Sequence, residues 1–220
     1  AAASPRVGAF ALAAGSADSV VLTTLAPGNY TALVSAADGN AGAALVEVYD
    51  VSGGTLVQKL SNLSTRAFAG TDDNTLIAGG VVNGSVPKRV LVRAAGPALV
   101  QFGLTSALAR PQLTLYAGAT PIATNTDWNT SADAATLAAA AVRVGAFAFS
   151  PTSADSALII NLAPGSYTAQ VTGVGGTTGT ALIEIYELPG RRPVHARGEA
   201  DQISRPARAP PPGGAAVGGR

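Results

Sequence analysis

A 45-residue stretch occurs twice in this chain, and it restricts the possible folds more than any other feature. The stretch Val7 to Val51 reads VGAFALAAGSADSVVLTTLAPGNYTALVSAADGNAGAALVEVYDV. Its twin, Val144 to Leu188, reads VGAFAFSPTSADSALIINLAPGSYTAQVTGVGGTTGTALIEIYEL. The copies lie 137 residues apart, align without a gap and share 23 identical positions. Nine of the other 22 positions exchange Val, Ile and Leu, or Ser, Thr and Asn. Self-similarity at a fixed period marks a duplicated structural unit.

Each copy carries the pattern of three strands separated by turn residues. In the first, residues 19–24, 29–36 and 42–51 read as strands, with a type II turn at Pro27-Gly28. The second repeats this over 156–161, 166–173 and 180–188, with Pro164-Gly165 at the turn. The last strand of each copy is apolar on both faces, which predicts a central position in a packed sheet. Ahead of these, Arg6, Gly8, Phe10 and Leu12 alternate with Val7, Ala9 and Ala11. As a strand, this puts the large side chains on one face and small ones on the other.

Residues 52–142 are not repeated. Strands are expected near 60–67, 75–82, 88–94, 113–116 and 122–125, with Asn83-Gly84 and Pro87 marking a turn. Ala95-Gly96-Pro97 breaks the chain, and 98–102 has room for one helical turn. Residues 131–142 form the one expected helix, an Ala run capped by Ser131 or Asp133. From Pro189 the character changes: six Arg against Glu199 and Asp201 give the tail +4 and leave the body −3. That composition predicts a disordered or polyproline-like segment.

Composition excludes several classes. There is no Cys, so neither a disulfide nor a thiolate metal site is possible. Net charge is +1, which argues against a nucleic-acid surface on the body. No apolar run approaches the roughly 18 residues of a membrane-spanning helix. The opening AAASPR has neither a basic region nor an apolar core, so no signal peptide is read there. Only 12% of residues are charged and mean hydropathy is +0.30, which suits a surface that packs against other protein.

The period poses a problem of pairing. Residues 52–188 make one full period, and the first copy is an extra 45-residue half. Its strand edges must be covered, either within the chain around a shared middle or by another subunit through strand addition.

The phrases LSNLSTRAF, NTLIAGGVV, PKRVLVRAAGPAL, NTDW at 125–128, SADAATLAAAA and LAPGSYTAQV together resemble a repeat module of large exported proteins of environmental, especially aquatic, bacteria. The match covers residues 7–188 and not the tail. The resemblance implies immunoglobulin-like β-sandwich units, related to subunits of pilus-like fibrils that assemble by donor-strand exchange. This chain departs from chaperone–usher pilins in having no Cys and a short, Ala-rich candidate donor.

Residues with potential chemistry were weighed individually. Val7, Ala9, Phe10, Ala11 and Leu12 are the candidate donor strand; the alternative is an ordinary first strand of their own domain. Asp72-Asp73-Asn74 and the alternating Asn125, Asp127 and Asn129 lack the spacing of a known calcium loop and read as turns. Trp128, the only Trp, is a sugar-stacking candidate or a core plug. Glu47 and Glu184 are equivalent by duplication, so a shared structural role explains them better than a glycosidase acid pair. Asp18 and Asp155 are read as turn caps. His195 has no acid or nucleophile around it in sequence. Neither Gly79-Gly80 nor Gly96 has the Lys-Ser/Thr of a phosphate loop. Asn29, Asn62, Asn83 and Asn129 head possible glycosylation sequons.

These readings converge on an all-β, immunoglobulin-like sandwich with one short helix. Residues 1–15 form an N-terminal extension, 16–60 the first copy, 61–188 the middle plus second copy, and 189–220 the tail. The expected function is a structural subunit of an extracellular or cell-surface filament, built from copies of itself by N-terminal strand insertion. A carbohydrate- or surface-binding module is the alternative. No enzymatic activity, cofactor, metal, nucleic acid or membrane span is expected; surface glycans are a possible partner.

Overall fold

The computed structural model describes residues 7–51, 59–130 and 132–189. The alternating apolar pattern of the middle and second copy resolves into eight strands: β1 (Asn62–Ala69), β2 (Leu76–Val82), β3 (Lys88–Ala95), β4 (Pro111–Ala117), β5 (Thr120–Asn125), β6 (Ser156–Leu162), β7 (Gly165–Gly173) and β8 (Gly179–Glu187). They form two four-stranded sheets, in the orders β1-β8-β3-β6 and β2-β7-β4-β5. All these strand pairs are antiparallel. The all-β sandwich expected from sequence is therefore the architecture, and β8 is central as its two apolar faces require.

Between the sheets lie Val90, Val92 and Ala94 of β3 and Ala181 and Ile183 of β8. Leu113 and Leu115 of β4 and Ala169 and Val171 of β7 meet them from the other sheet. The period-2 alternation of β3 and β8 then turns Leu91, Arg93, Glu184 and Tyr186 to the outer face of the first sheet. Helix α1 (Ala134–Arg143) buries Leu137 and Ala140 in a cluster with Leu91, Trp128, Tyr186 and Leu188. The coil after α1 adds Phe147 and Phe149, which pack at 5.8 Å with their rings edge to face.

Gly96 is obligatory at the end of β3, because a Cβ there would sit 2.1 Å from the Leu108 carbonyl oxygen. The expected helical turn follows as a 3-10 helix, Pro97–Phe102. At the β6–β7 connection, the Tyr167 ring lies over Gly165 and its hydroxyl donates to the Ala163 carbonyl at 2.9 Å. Gly165 sits at φ 155°, away from the roughly +80° that the expected type II turn requires at this position. The tail from residue 190, with His195, and the residues Ala1 to Arg6 and Ser131 lie outside the described residues.

Candidate functional site, an unpaired half of the sandwich

The ladders divide the sandwich into two unequal parts. Strands β1 to β5 and α1 come from residues 62–143; they are termed here the opening half. Strands β6, β7 and β8 come from the second copy, the closing half. Every ladder of the closing half runs to the opening half: β6 to β3, β7 to β2 and β4, β8 to β1 and β3. No closing strand pairs with another closing strand. In this sandwich the closing strands satisfy their ladder bonds entirely across the boundary with the opening half.

The first copy demonstrates the consequence. No residue from Val7 to Val51 lies in a strand, which corrects the expected strands at 19–24, 29–36 and 42–51. The sequence pattern is right for strands, but β1 to β4 are already paired with the second copy. Burial inverts accordingly. Val34 is 56% exposed where its twin Val171 is 0%, and Val46 is 52% exposed where Ile183 is 0%. Leu25 is exposed as well, whereas its twin Leu162 is buried. At about 1.5–3 kcal/mol per fully buried aliphatic side chain, leaving these three in water forgoes on the order of 5 kcal/mol.

Local contacts survive without the sheet. Tyr30 donates to the Ala26 carbonyl at 2.8 Å, as Tyr167 does to Ala163. Tyr49 donates to Glu47 Oε1 at 3.0 Å, as Tyr186 does to Glu184 Oε1 at 2.7 Å.

The candidate donor residues do not form the expected strand either. Val7, Ala9, Phe10, Ala11 and Leu12 include no strand residue, and their twins Val144, Ala146, Phe147, Ala148 and Phe149 are coil. Gly8 and Gly145 adopt φ of 78° and 73°, a left-handed turn that breaks extended pairing at this point in both copies. The alternation was still informative: Phe147 and Phe149 share one side, stacked over the Arg93 guanidinium at 4.6 and 3.9 Å.

Arg93 anchors a buried polar seam between the two halves, a residue for which the sequence offered no signal. It lies directly opposite Glu184 in the β3–β8 register. Both are nearly fully buried and form an ion pair at 3.3 Å. Arg93 also donates to the Phe147 carbonyl at 2.8 Å. Burial lowers the Arg93 pKa, with the Glu184 charge opposing that shift. Burial and the bond to Glu184 push the Tyr186 phenol far above its ordinary range.

Asp155, fully buried, accepts from the Gly96 and Ala98 amides at 2.7 and 3.2 Å, the capping role expected of it. Ser156 donates to the Pro111 carbonyl at 2.6 Å. Each of these bonds joins a closing-half side chain to the opening half.

The remaining candidates have structural roles. Trp128 is a core residue, buried and donating to the Ser150 carbonyl at 3.3 Å, not a sugar platform. Asn125 Oδ1 accepts from the Ala157 amide at 2.9 Å, and Asp127 is ion-paired with Arg110, which holds its carboxyl below the usual range. Asp72–Asn74 is a 3-10 turn. Among the described residues no three His, Cys, Asp or Glu are grouped as metal ligands. Of the sequon residues, Asn29, Asn62 and Asn83 are exposed, while the Asn129 amide is engaged by the Pro151 carbonyl. A cavity of about 100 Å³ lies under α1, lined by Leu91, Trp128, Leu137 and Phe149 beside Arg93. No described helix is long and apolar enough to cross a membrane.

No family model matches the chain, and no curated protein is significantly similar to it. Among solved structures, the pre-peptidase C-terminal domain of a collagenase from Bacillus anthracis is similar at 12% identity and a TM-score of 0.34, over 56% of this chain and 88% of that one. A similarity that weak carries nothing about function.

Proposed function

We propose that this protein is a structural subunit of an extracellular bacterial filament, in which its N-terminal copy, led in by residues 7–12, pairs with a vacant half-sandwich of a neighbouring subunit. The observation that carries this reading is the first copy itself: an apolar strand-forming segment, left unpaired and exposed beside a complete sandwich built from its twin. Strand insertion would satisfy rows of backbone groups and bury apolar side chains in one step, giving a long-lived joint without covalent linkage. The charge-poor composition fits a protein that packs against other protein. The extracellular bacterial setting comes from the sequence resemblance.

The test is immunogold labelling and negative-stain microscopy of cells producing the protein, beside cells producing a variant lacking residues 7–51. Label along filaments in the first and only unassembled protein in the second supports the reading. Equal, filament-free recovery of both as monomers rejects it.

A further inference from the structure

We infer that the partner of the first copy is the opening half of another sandwich module of the same type: five strands patterned like β1 to β5, with the closing-half seat vacant. This inference rests on the assembly reading above and names the acceptor it requires.

Three observations carry it. First, the twin shows which surface covers this sequence. Residues 156–187 pair along their length with β1, β2, β3 and β4, and with nothing in their own half.

Second, the first copy retains residues whose reason exists only in the assembled sandwich. Gly179 is required because a Cβ would lie 2.7 Å from the Leu108 amide nitrogen of the opening half. Its twin Gly42 has nothing within 4 Å. Asp155, Ser156 and Glu184 bond to Gly96, Pro111 and Arg93 of the opening half. Their twins Asp18, Ser19 and Glu47 are the same residues, yet all are exposed. A segment meant to remain coil in water has no use for a crowding-driven glycine, a turn-capping carboxylate, a hydroxyl placed to meet a buried carbonyl and a carboxylate placed to meet a buried arginine.

Third, the count of halves excludes the simplest donor of that surface. These 220 residues hold two closing halves and one opening half. A copy of this chain can seat the first copy of its neighbour only by releasing its own residues 156–187. Exchange among copies of this 220-residue stretch alone gains no pairing and leaves one closing half per copy uncovered. The acceptor is therefore an opening half that these 220 residues do not themselves leave free.

The twin also fixes the register. Ile183 lies opposite Ala94, and Val171 opposite both Leu76 and Leu113. In the joint, Val46 faces the acceptor position equivalent to Ala94, Glu47 that of Arg93, and Val34 those of Leu76 and Leu113.

The experiment supplies the missing half to the full chain by fusing a second copy of residues 59–143 directly ahead of Val7, which recreates the Arg143–Val144 junction sequence. Amide hydrogen exchange is read over residues 20–24, 30–35 and 44–48. Slowing by about a hundredfold or more, toward the rates of 157–161, 167–172 and 181–185, is expected. Exchange over 20–48 as fast as in the unextended chain, with 157–185 still protected, overturns the inference. So does protection of 20–48 in the unextended chain that rises with its concentration, because the partner is then a second copy.

Register is tested by disulfide trapping, since the chain has no Cys of its own. Val46→Cys with Ala94→Cys in the added half should cross-link, and Val48→Cys with the same partner should not; the reverse overturns the register. These readouts use one soluble chain. Their failure leaves the filament reading to its own microscopy test, and failure of that test leaves them standing.

Discussion

The two copies have nearly the same sequence and opposite fates. Residues 156–187 form three strands of a packed sandwich; residues 19–50 form none. Neither intrinsic propensity nor patterning accounts for the difference, because Val20, Val21 and Leu22 favour strands as strongly as Ala157, Leu158 and Ile159. The difference is the partner. The ladders of the closing half all run outward to an opening half, and these 220 residues hold one opening half, which the second copy occupies. Strand formation here is a property of the pair of halves.

The comparison can be broken by matched substitutions. The largest effect is expected at the buried ion pair. Glu184→Gln strands Arg93 without its counter-charge and should cost about 3–5 kcal/mol in urea unfolding. Glu47→Gln, at an exposed position, should stay within about 0.5 kcal/mol. Equal losses would mean that the first copy is also seated. Next comes the core: Ile183→Ala should cost about 2–5 kcal/mol by cavity formation, and Val46→Ala almost nothing. Third is the close approach. Gly179→Ala forces β8 off the Leu108 backbone and should cost about 1–3 kcal/mol, whereas Gly42→Ala has open space and should be neutral.

The smallest contrast is in pH. The Tyr186 phenol is raised above its ordinary value of 10.0 by burial and by its bond to Glu184. The folded protein therefore holds this proton more tightly than the unfolded chain does. The stabilisation is complete below about pH 10 and is lost as pH rises further. Tyr186→Phe should flatten that alkaline loss in a denaturation series; Tyr49, whose phenol the bond to Glu47 also raises but at an exposed position, should contribute less, so Tyr49→Phe should flatten it less. An unchanged slope in Tyr186→Phe would remove the phenol from the account.

Much of this was legible in the sequence. The strands of the opening half and of the second copy fall close to where alternation and turn residues put them, and the Ala run at 134–143 is the helix. Asp155 and Glu184 have structural roles, but the role that duplication implied they share with Asp18 and Glu47 does not extend to those exposed twins. Other features needed three dimensions. Periodicity assigned strands to 19–51 because it reports how a segment would pack, not whether a partner is free. The surplus half was visible in the 137-residue period, but the ladders were needed to show that closing strands never pair with one another. The alternation across Phe10 and Leu12 grouped the right side chains and gave the wrong backbone, because the glycine before them turns left-handed. Arg93 carried no signal of its own. Its burial arises from Glu184, far along the chain, and from two phenylalanines after the helix.

The most direct measurement is amide hydrogen exchange on the unaltered chain at low concentration, comparing residues 20–48 with 157–185. Exchange near the unprotected rate is expected over 20–48, and protection by several orders of magnitude over 157–185. Equal protection of the two copies would contradict it, because the first copy would then have found strands to pair with inside this chain.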